Sequence, residues 1–507
     1  MHSIELIIFC AFFLLVTLAG FWAARWRRPI GGIASLEEWG LAGRNFGTLI
    51  TWFLIGGDLY TAYTVIAVPA ALYGAGAMGF FAVPYAIIAY PYMMLVLPRI
   101  WRVCHRHGYV TFADFVRGRH GSKWLTVAIA LTGVLALMPY IALQLVGMKA
   151  VIAVMLPNAA WHGVPASEWA LIAAFIILAA YTYSSGLRAP AVIAIVKDVM
   201  LYIMVFAAII YFPLKLGGYA HIFATAAQKL AAHTPPASIM LRPQQYLGYS
   251  TLAIGSAIAL MLYPHTATAV LSAKSSDVIR RNAALLPAYS FLLGLIALLG
   301  YVALAANINT KDTTSAIPTL FLTMFPPWFA GFCLAAIAIG ALVPAAIMSI
   351  AASNLFTRNL YGEFARTPLT PAQESTMAKV VSLAVKLGAL VFVLLASSTY
   401  AIEMQLLGGI WIAQIFPAVV IGAFTRRLHP HALLAGWAAG MGSGTYMAAS
   451  LHLKSSVYPL HLFGSTFAMY AAIPSLLLNI AIAAVLTLIL NAAKVAAPAD
   501  TTDPAVY

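Results

Sequence analysis

The stretch Val192–Tyr202 reads VIAIVKDVMLY, an apolar helical run with Lys197 and Asp198 set into it. A charge at the centre of a membrane helix costs on the order of 3 kcal/mol, so ionisable groups there are rare and usually serve a function. Two further features lie in equally apolar surroundings: Gly56-Gly57-Asp58, and Ser349 within AAIMSIAAS. A helix rises 1.5 Å per residue, which lets depth be counted from the edge of each apolar run. Lys197 lies nine residues past Arg188, Ser349 nine before Arg358 and Asp58 nine past Leu49, so each is roughly 14 Å deep. Three segments far apart in sequence carry their unusual polar groups at one level, and a shared site is the expectation.

The composition sets the class. The chain has 507 residues, of which 63% are hydrophobic and only 8% charged. No soluble fold has enough interior for that much apolar surface, so the expected class is an all-α integral membrane protein in contact with a lipid bilayer. The net charge of +14 would suggest nucleic acid in a soluble protein. Here loop placement accounts for it, and no nucleic-acid partner is expected. Cys10, Cys104 and Cys333 have no metal-ligand spacing and read as packing thiols.

Apolar runs of span length predict about 13 transmembrane helices. They fall near 4–24, 48–73, 77–98, 124–156, 168–184, 190–212, 246–272, 284–307, 328–356, 377–397, 400–424, 430–451 and 466–492. The first has Arg25, Arg27 and Arg28 behind it and no basic residue ahead, the reverse of a cleaved signal peptide. With the N-terminus outside and the C-terminus cytoplasmic, most of the 28 basic residues fall in cytoplasmic loops. Lys215, Lys229, Arg242, Lys311 and Lys454 lie outside, and Lys149, Lys197 and Lys386 lie within spans. The expected location is the cell (inner) membrane. Segments 213–245 and 308–327 are expected to form surface helices, and 496–507 a disordered tail.

Gly56-Gly57 weakens the second span, and unwinding there frees carbonyls that can face an ion or a solute. Tyr263-Pro264-His265 is a second candidate break, in the seventh span. Breaks five spans apart are what two inverted five-helix halves would give. Other accounts stay open. The glycines also suit close helix packing, Lys197 a snorkelling or static ion-paired lysine, Ser349 a back-bonded serine and His265 a structural histidine.

At these residues the chain resembles the sodium:solute symporter family. The resemblance rests on Leu41-Ala42-Gly43-Arg44, the Gly-Gly-Asp break, Ile317-Pro318, and Ala346-Ile-Met-Ser349 leading into Phe356-Thr-Arg-Asn-Leu-Tyr361. SGLRAPAVIAIVKD and PAAIMSIAASNLFTRNLY carry a closer likeness to the bacterial monocarboxylate permease branch. The resemblance implies a leucine-transporter-like five-plus-five inverted repeat in a single transporter domain, 1–495. The first helix would be 4–24, repeat one about 48–212, repeat two about 246–424, and the last two helices 430–492. It also implies a secondary transporter for a small monocarboxylate such as pyruvate or lactate, working by alternating access on a proton or sodium gradient with no organic cofactor. The alternative is a sodium-coupled symporter for another small organic solute such as an amino acid or short-chain acid.

The family's sodium site, carried over, uses the carbonyls of Gly56 and Leu59 with Ala346 and Ser349. Ile350 stands where the family has Ser or Thr, which removes one oxygen ligand. An ammonium beside such a vacated site supplies the positive charge itself, and its removal from water lets it exchange a proton. Lys197, Asp58 and Asp198 are therefore the candidate coupling residues. Neighbours on one helix point about 100° apart, which makes Asp58 the expected partner of Lys197. Positive potential and donors for a carboxylate are expected from Tyr60, Thr61, Thr64, Tyr140, Gln144, Tyr263, His265, Trp411 and Gln414. A membrane enzyme would show acid and histidine clusters in loops, where His105, His107, Asp114 and His120 are only scattered. A solute sensor would need an output domain, and none is read in the chain.

Overall fold

The computed structural model describes residues 3–26, 34–157, 159–310, 312–395, 398–462 and 464–506. Arg27, Arg28 and Lys311 of the loop-charge reading lie outside them. The principal helices, in chain order, are α1 (Ser3–Trp22), α2 (Thr48–Leu59), α3 (Val68–Ala75), α4 (Ala82–Leu95), α5 (Phe112–His120), α6 (Lys123–Met155), α7 (Ala166–Ser185) and α8 (Arg188–Lys215). They continue with α9 (Tyr246–Leu262), α10 (Pro264–Leu271), α11 (Pro287–Ala305), α12 (Pro327–Leu355), α13 (Pro371–Leu395), α14 (Ser398–Ala413), α15 (Pro430–Ser450) and α16 (Ala472–Ala492). Among the described residues, ten helices are long and apolar enough to cross a membrane, or eleven if the bent Gln405–Ala413 and Pro417–Phe424 pair is one span.

The expected thirteen are not reached on that criterion, for physical reasons. The second span is cut short at Leu59 by its break, so α2 is too short to pass alone. The Gly- and Ser-rich α15 forms a helix that is not among those candidates. The last expected span begins too early, because Ser465–Tyr470 pairs with Val457–Leu462 in an antiparallel hairpin and α16 starts at Ala472. The two surface segments do carry helices, Tyr219–Ala231 and Ala316–Met324.

The bundle is built around α12. Its most apolar window is wholly buried, and it packs against α1, α2, α6, α8, α10 and α13. Ala and Gly recur along it, and small residues let neighbouring backbones approach where no hydrophobic effect draws helices together in lipid. The second expected break falls at Tyr263-Pro264, while at the first the helix runs on through Gly56-Gly57 and stops only at Leu59. The α2 helix ends at Leu59, with Tyr60 outside helical geometry before a π-helical turn, Tyr63–Ala67, leads into α3. Helix α9 ends at Leu262, Tyr263 is extended, and Pro264 opens α10 at a position where no amide donor is missed.

The tail is not the free segment expected from its composition. Asp500 pairs with Arg119 of α5 at 2.6 Å and with Arg426 at 3.2 Å. The Thr501 amide donates to the Gly118 carbonyl, and the Asp503 amide to His107. Two basic groups on separate elements thus give a weakly hydrophobic tail a polar reason to dock. Burial alone pushes the Asp500 carboxyl up, but hydrogen bonds from Thr502 and the guanidiniums of Arg119 and Arg426 outweigh it and hold the group below the usual aspartate value. A carboxyl held low in the folded chain contributes stability present above its unfolded pKa and lost as pH falls through the folded one. Acid should therefore release the tail. Asp500→Asn should release it at neutral pH, at a cost on the order of 1 kcal/mol for partly solvated pairs. Limited proteolysis of the carboxy-terminal segment checks this, and unchanged protection of the substituted chain would remove the clamp.

Candidate functional site

The end of α2 at Leu59 and the non-helical Tyr60 leave backbone groups that hydrocarbon cannot satisfy, and the neighbouring helices supply partners. Gln144 of α6 accepts the Ala62 amide at 2.9 Å, and the Thr61 hydroxyl accepts the Tyr63 amide. The Thr64 hydroxyl donates to the Leu59 carbonyl. On the other side the fully buried Lys197 of α8 donates to the Gly57 carbonyl at 2.5 Å and the Tyr60 carbonyl at 2.9 Å. Its ammonium also stands 3.1 Å from Asp198 Oδ1. Asp198 Oδ2 accepts from the Tyr289 hydroxyl of α11 at 2.7 Å, and the Tyr60 hydroxyl donates to the Tyr289 carbonyl. The negative end of the α2 dipole and one carboxylate together hold the cation.

The counter-charge is therefore Asp198, not Asp58 as the angular argument favoured. Adjacent side chains on a helix do diverge, but a flexible four-carbon stem lets the Lys197 head fold back. Asp58 faces the second break instead, with its carboxylate 3.5 Å from His265 Nε2. His265 is the second residue of α10, so Asp58 also lies near the positive end of a helix. Asp58 Oδ1 and both ring nitrogens of His265 have no hydrogen-bond partner among the described residues. Buried polar atoms without partners are costly, and these three lie on the two helices that flank the breaks.

Beside that pair, the rings of Tyr140, Tyr263 and His265 cluster with centroids 5.1–5.4 Å apart. Tyr140 and Tyr263 line a small cavity with Tyr63, Tyr85, Gln405 and Tyr470. Tyr60 and Thr64 line a smaller one with Tyr289 and Ser290. Trp411 and Gln414 are not brought to this centre. Trp411 donates to Thr445 of α15, and Gln414 is bonded to Ser475 and Asn479 of α16. Gln144 and Thr61 are spent on bracing the break.

The carried-over sodium ligands are likewise engaged. The Gly56 carbonyl accepts the Tyr60 amide, and the Leu59 carbonyl accepts the Thr61 amide as well as Thr64. Ser349 donates to the Ala346 carbonyl at 2.8 Å and accepts from Ser382 of α13 at 3.2 Å. Its recorded partners lie on α12 itself and on α13, not at the α2 break. Asp58, Lys197 and the two breaks meet, while Ser349 is bound elsewhere. Tyr289 and Ser382 were missed, because neither stands out in its run. Lys386, which donates to Ser382, carried the signal of a charge in an apolar span.

A model of the sodium:solute symporter family matches residues 39–440. The chain is 51% identical over 494 residues to a monocarboxylate transport permease protein of Rhizobium johnstonii, covering 97% of this chain and 98% of that one. It is 34% identical over 448 residues to YodF, an uncharacterized symporter of Bacillus subtilis, with 87% of each chain covered. A sodium-coupled sialic acid symporter in a substrate-bound, outward-open state superposes with a TM-score of 0.74 at 15% identity, over 96% of this chain and 98% of that one. That likeness shows a common fold, the leucine-transporter-like one. Since the family match runs through both broken helices, the lysine-bearing α8 and the central α12, this multi-pass membrane protein belongs to the sodium:solute symporter family.

Proposed function

We propose that the chain takes up a small monocarboxylate such as pyruvate or lactate across the cell membrane by alternating access, driven by an ion gradient, with protons favoured over sodium. The observation that carries the choice of ion is the seat of Lys197 on the Gly57 and Tyr60 carbonyls. An ammonium there does what a bound cation would do, and it can be made and unmade by one proton. While protonated it ties α8 to the unwound turn. Once the proton leaves, both carbonyls lose their donor and the turn is free to rearrange, which gives the two states that alternating access needs.

The substrate class rests on the Rhizobium relative and on the chemistry of the cavity. The positive end of α10, His265 and the hydroxyls of Tyr140 and Tyr263 would meet a carboxylate. A transporter of this kind makes and breaks no covalent bond. Thirteen spans in two inverted five-helix halves, with the N-terminus outside and the C-terminus cytoplasmic, complete the proposal. Sodium is the second reading, favoured by the family's description and the sodium-coupled structural neighbour. It would require the oxygens of Gly56, Leu59, Ala346 and Ser349, each already in a hydrogen bond, to converge on one ion.

Uptake of labelled lactate or pyruvate into vesicles should persist when choline replaces sodium and collapse with a protonophore. Strict sodium dependence would put the second reading in place of the first. Lys197→Ala should leave Asp198 buried without its cation, a loss of about 3–5 kcal/mol at the site. Uptake should then fall at least tenfold while the protein still inserts, and normal uptake by that variant would dismiss the lysine. His265→Ala should remove a donor to a charged ligand, worth about 1.5–3 kcal/mol, and raise KM by tenfold or more. An unchanged KM would move the carboxylate site away from α10.

A further inference from the structure

Lys386 is a second buried ammonium that the site described so far does not use. It lies in α13, 2% exposed, fifteen residues beyond Pro371 and so about 22 Å along the helix. Its hydrogen-bond partner is the Ser382 hydroxyl one turn earlier, at 2.8 Å. Among the described residues no carboxylate pairs with it. Ser382 in turn donates to Ser349 at 3.2 Å, and Ser349 donates to the Ala346 carbonyl. The result is a directed chain of hydrogen bonds, ammonium to hydroxyl to hydroxyl to carbonyl, running from α13 into α12. Its receiving end is the pair of residues carried over as sodium ligands.

This chain has two consequences for a cation at the α2 break. A hydroxyl has one proton, and that of Ser349 is already committed to its own helix while one lone pair is committed to Ser382. Turning the oxygen toward α2 would forfeit the Ser382 bond and leave a buried donor without a partner. The second consequence is charge. Lys386 stands only two hydrogen bonds behind Ser349, in an interior where like charges repel far more strongly than in water. Ile350 removes the neighbouring hydroxyl altogether.

We propose that Lys386 determines which ion this carrier accepts: through Ser382 it holds the Ser349 hydroxyl toward α13 and keeps a cationic head behind it, so that α12 offers sodium no side-chain ligand. Lys386 is a positioning residue, acting through Ser382, and the proposal rests on the reading of Lys197 as the internal cation.

The test measures sodium-22 binding to the purified full-length protein. Lys197→Ala together with Ile350→Ser frees the carbonyls of the break and restores the missing hydroxyl. Adding Lys386→Met to that pair should raise sodium affinity at least tenfold, about 1.4 kcal/mol. Adding Lys386→Arg, which keeps the charge, should not. Equal affinity with and without Lys386→Met overturns the proposal, as does a gain with Lys386→Arg as large as with Lys386→Met. If the Lys386→Met protein fails to fold, Ser382→Ala in the same background cuts the link with the lysine retained, and should still raise affinity. No gain there overturns the proposal equally. Sodium-free, protonophore-sensitive uptake by the unaltered chain judges the Lys197 reading separately, so the two can fail independently.

Discussion

A buried ammonium and an unwound helical turn each carry an unmet demand in hydrocarbon, and in this protein each meets the other's. Lys197 needs acceptors because no water reaches it, and the Gly57 and Tyr60 carbonyls need donors because their helix stops. Either feature alone would be a destabilising defect. Together they fix the depth of α8 against α2 and the direction in which Asp198 points. The Asp198 carboxylate then recruits Tyr289, which draws α11 to the same centre.

The rest of the architecture keeps that contact in place. Gln144 and Thr61 brace the first break, and Thr266 donates to the Leu260 carbonyl across the second. The buried, small-residue helix α12 brings both breaks and α8 within reach of one another. The two breaks present opposite dipole ends. The carboxyl end of α2 faces a cation and the amino end of α10 faces Asp58, so the centre holds both signs of charge without solvent.

Much of this was legible in the residues. A charge in an apolar run, a double glycine and a Tyr-Pro-His triplet each departs from what a plain membrane helix needs, and each marks a real feature of the centre. Less legible was the partner of each group. The 100° argument treated Lys197 as a rigid pointer, whereas its stem folds back onto Asp198. Depth counting is silent on azimuth, and the Ser349 hydroxyl is bonded to α13. Trp411 and Gln414 failed for the same reason, being turned to α15 and α16. The tail misled because its composition is that of a disordered segment, while docking depends on Arg119 and Arg426 meeting at one place.

The sequence by itself determined the membrane class, most of the long apolar helices, the second of the two helix breaks and the identity of the charges held in apolar runs. Those follow from local balances of apolar length, glycine, proline and charge, which are complete within a few turns of chain. Only the tertiary structure decided which carboxylate faces which cation, which hydroxyls brace the breaks, and that two lysines rather than one stand near the residues that the family resemblance carries over as sodium ligands. Rotation of a helix about its axis is set by contacts with every neighbour at once, and that information is spread over segments hundreds of residues apart.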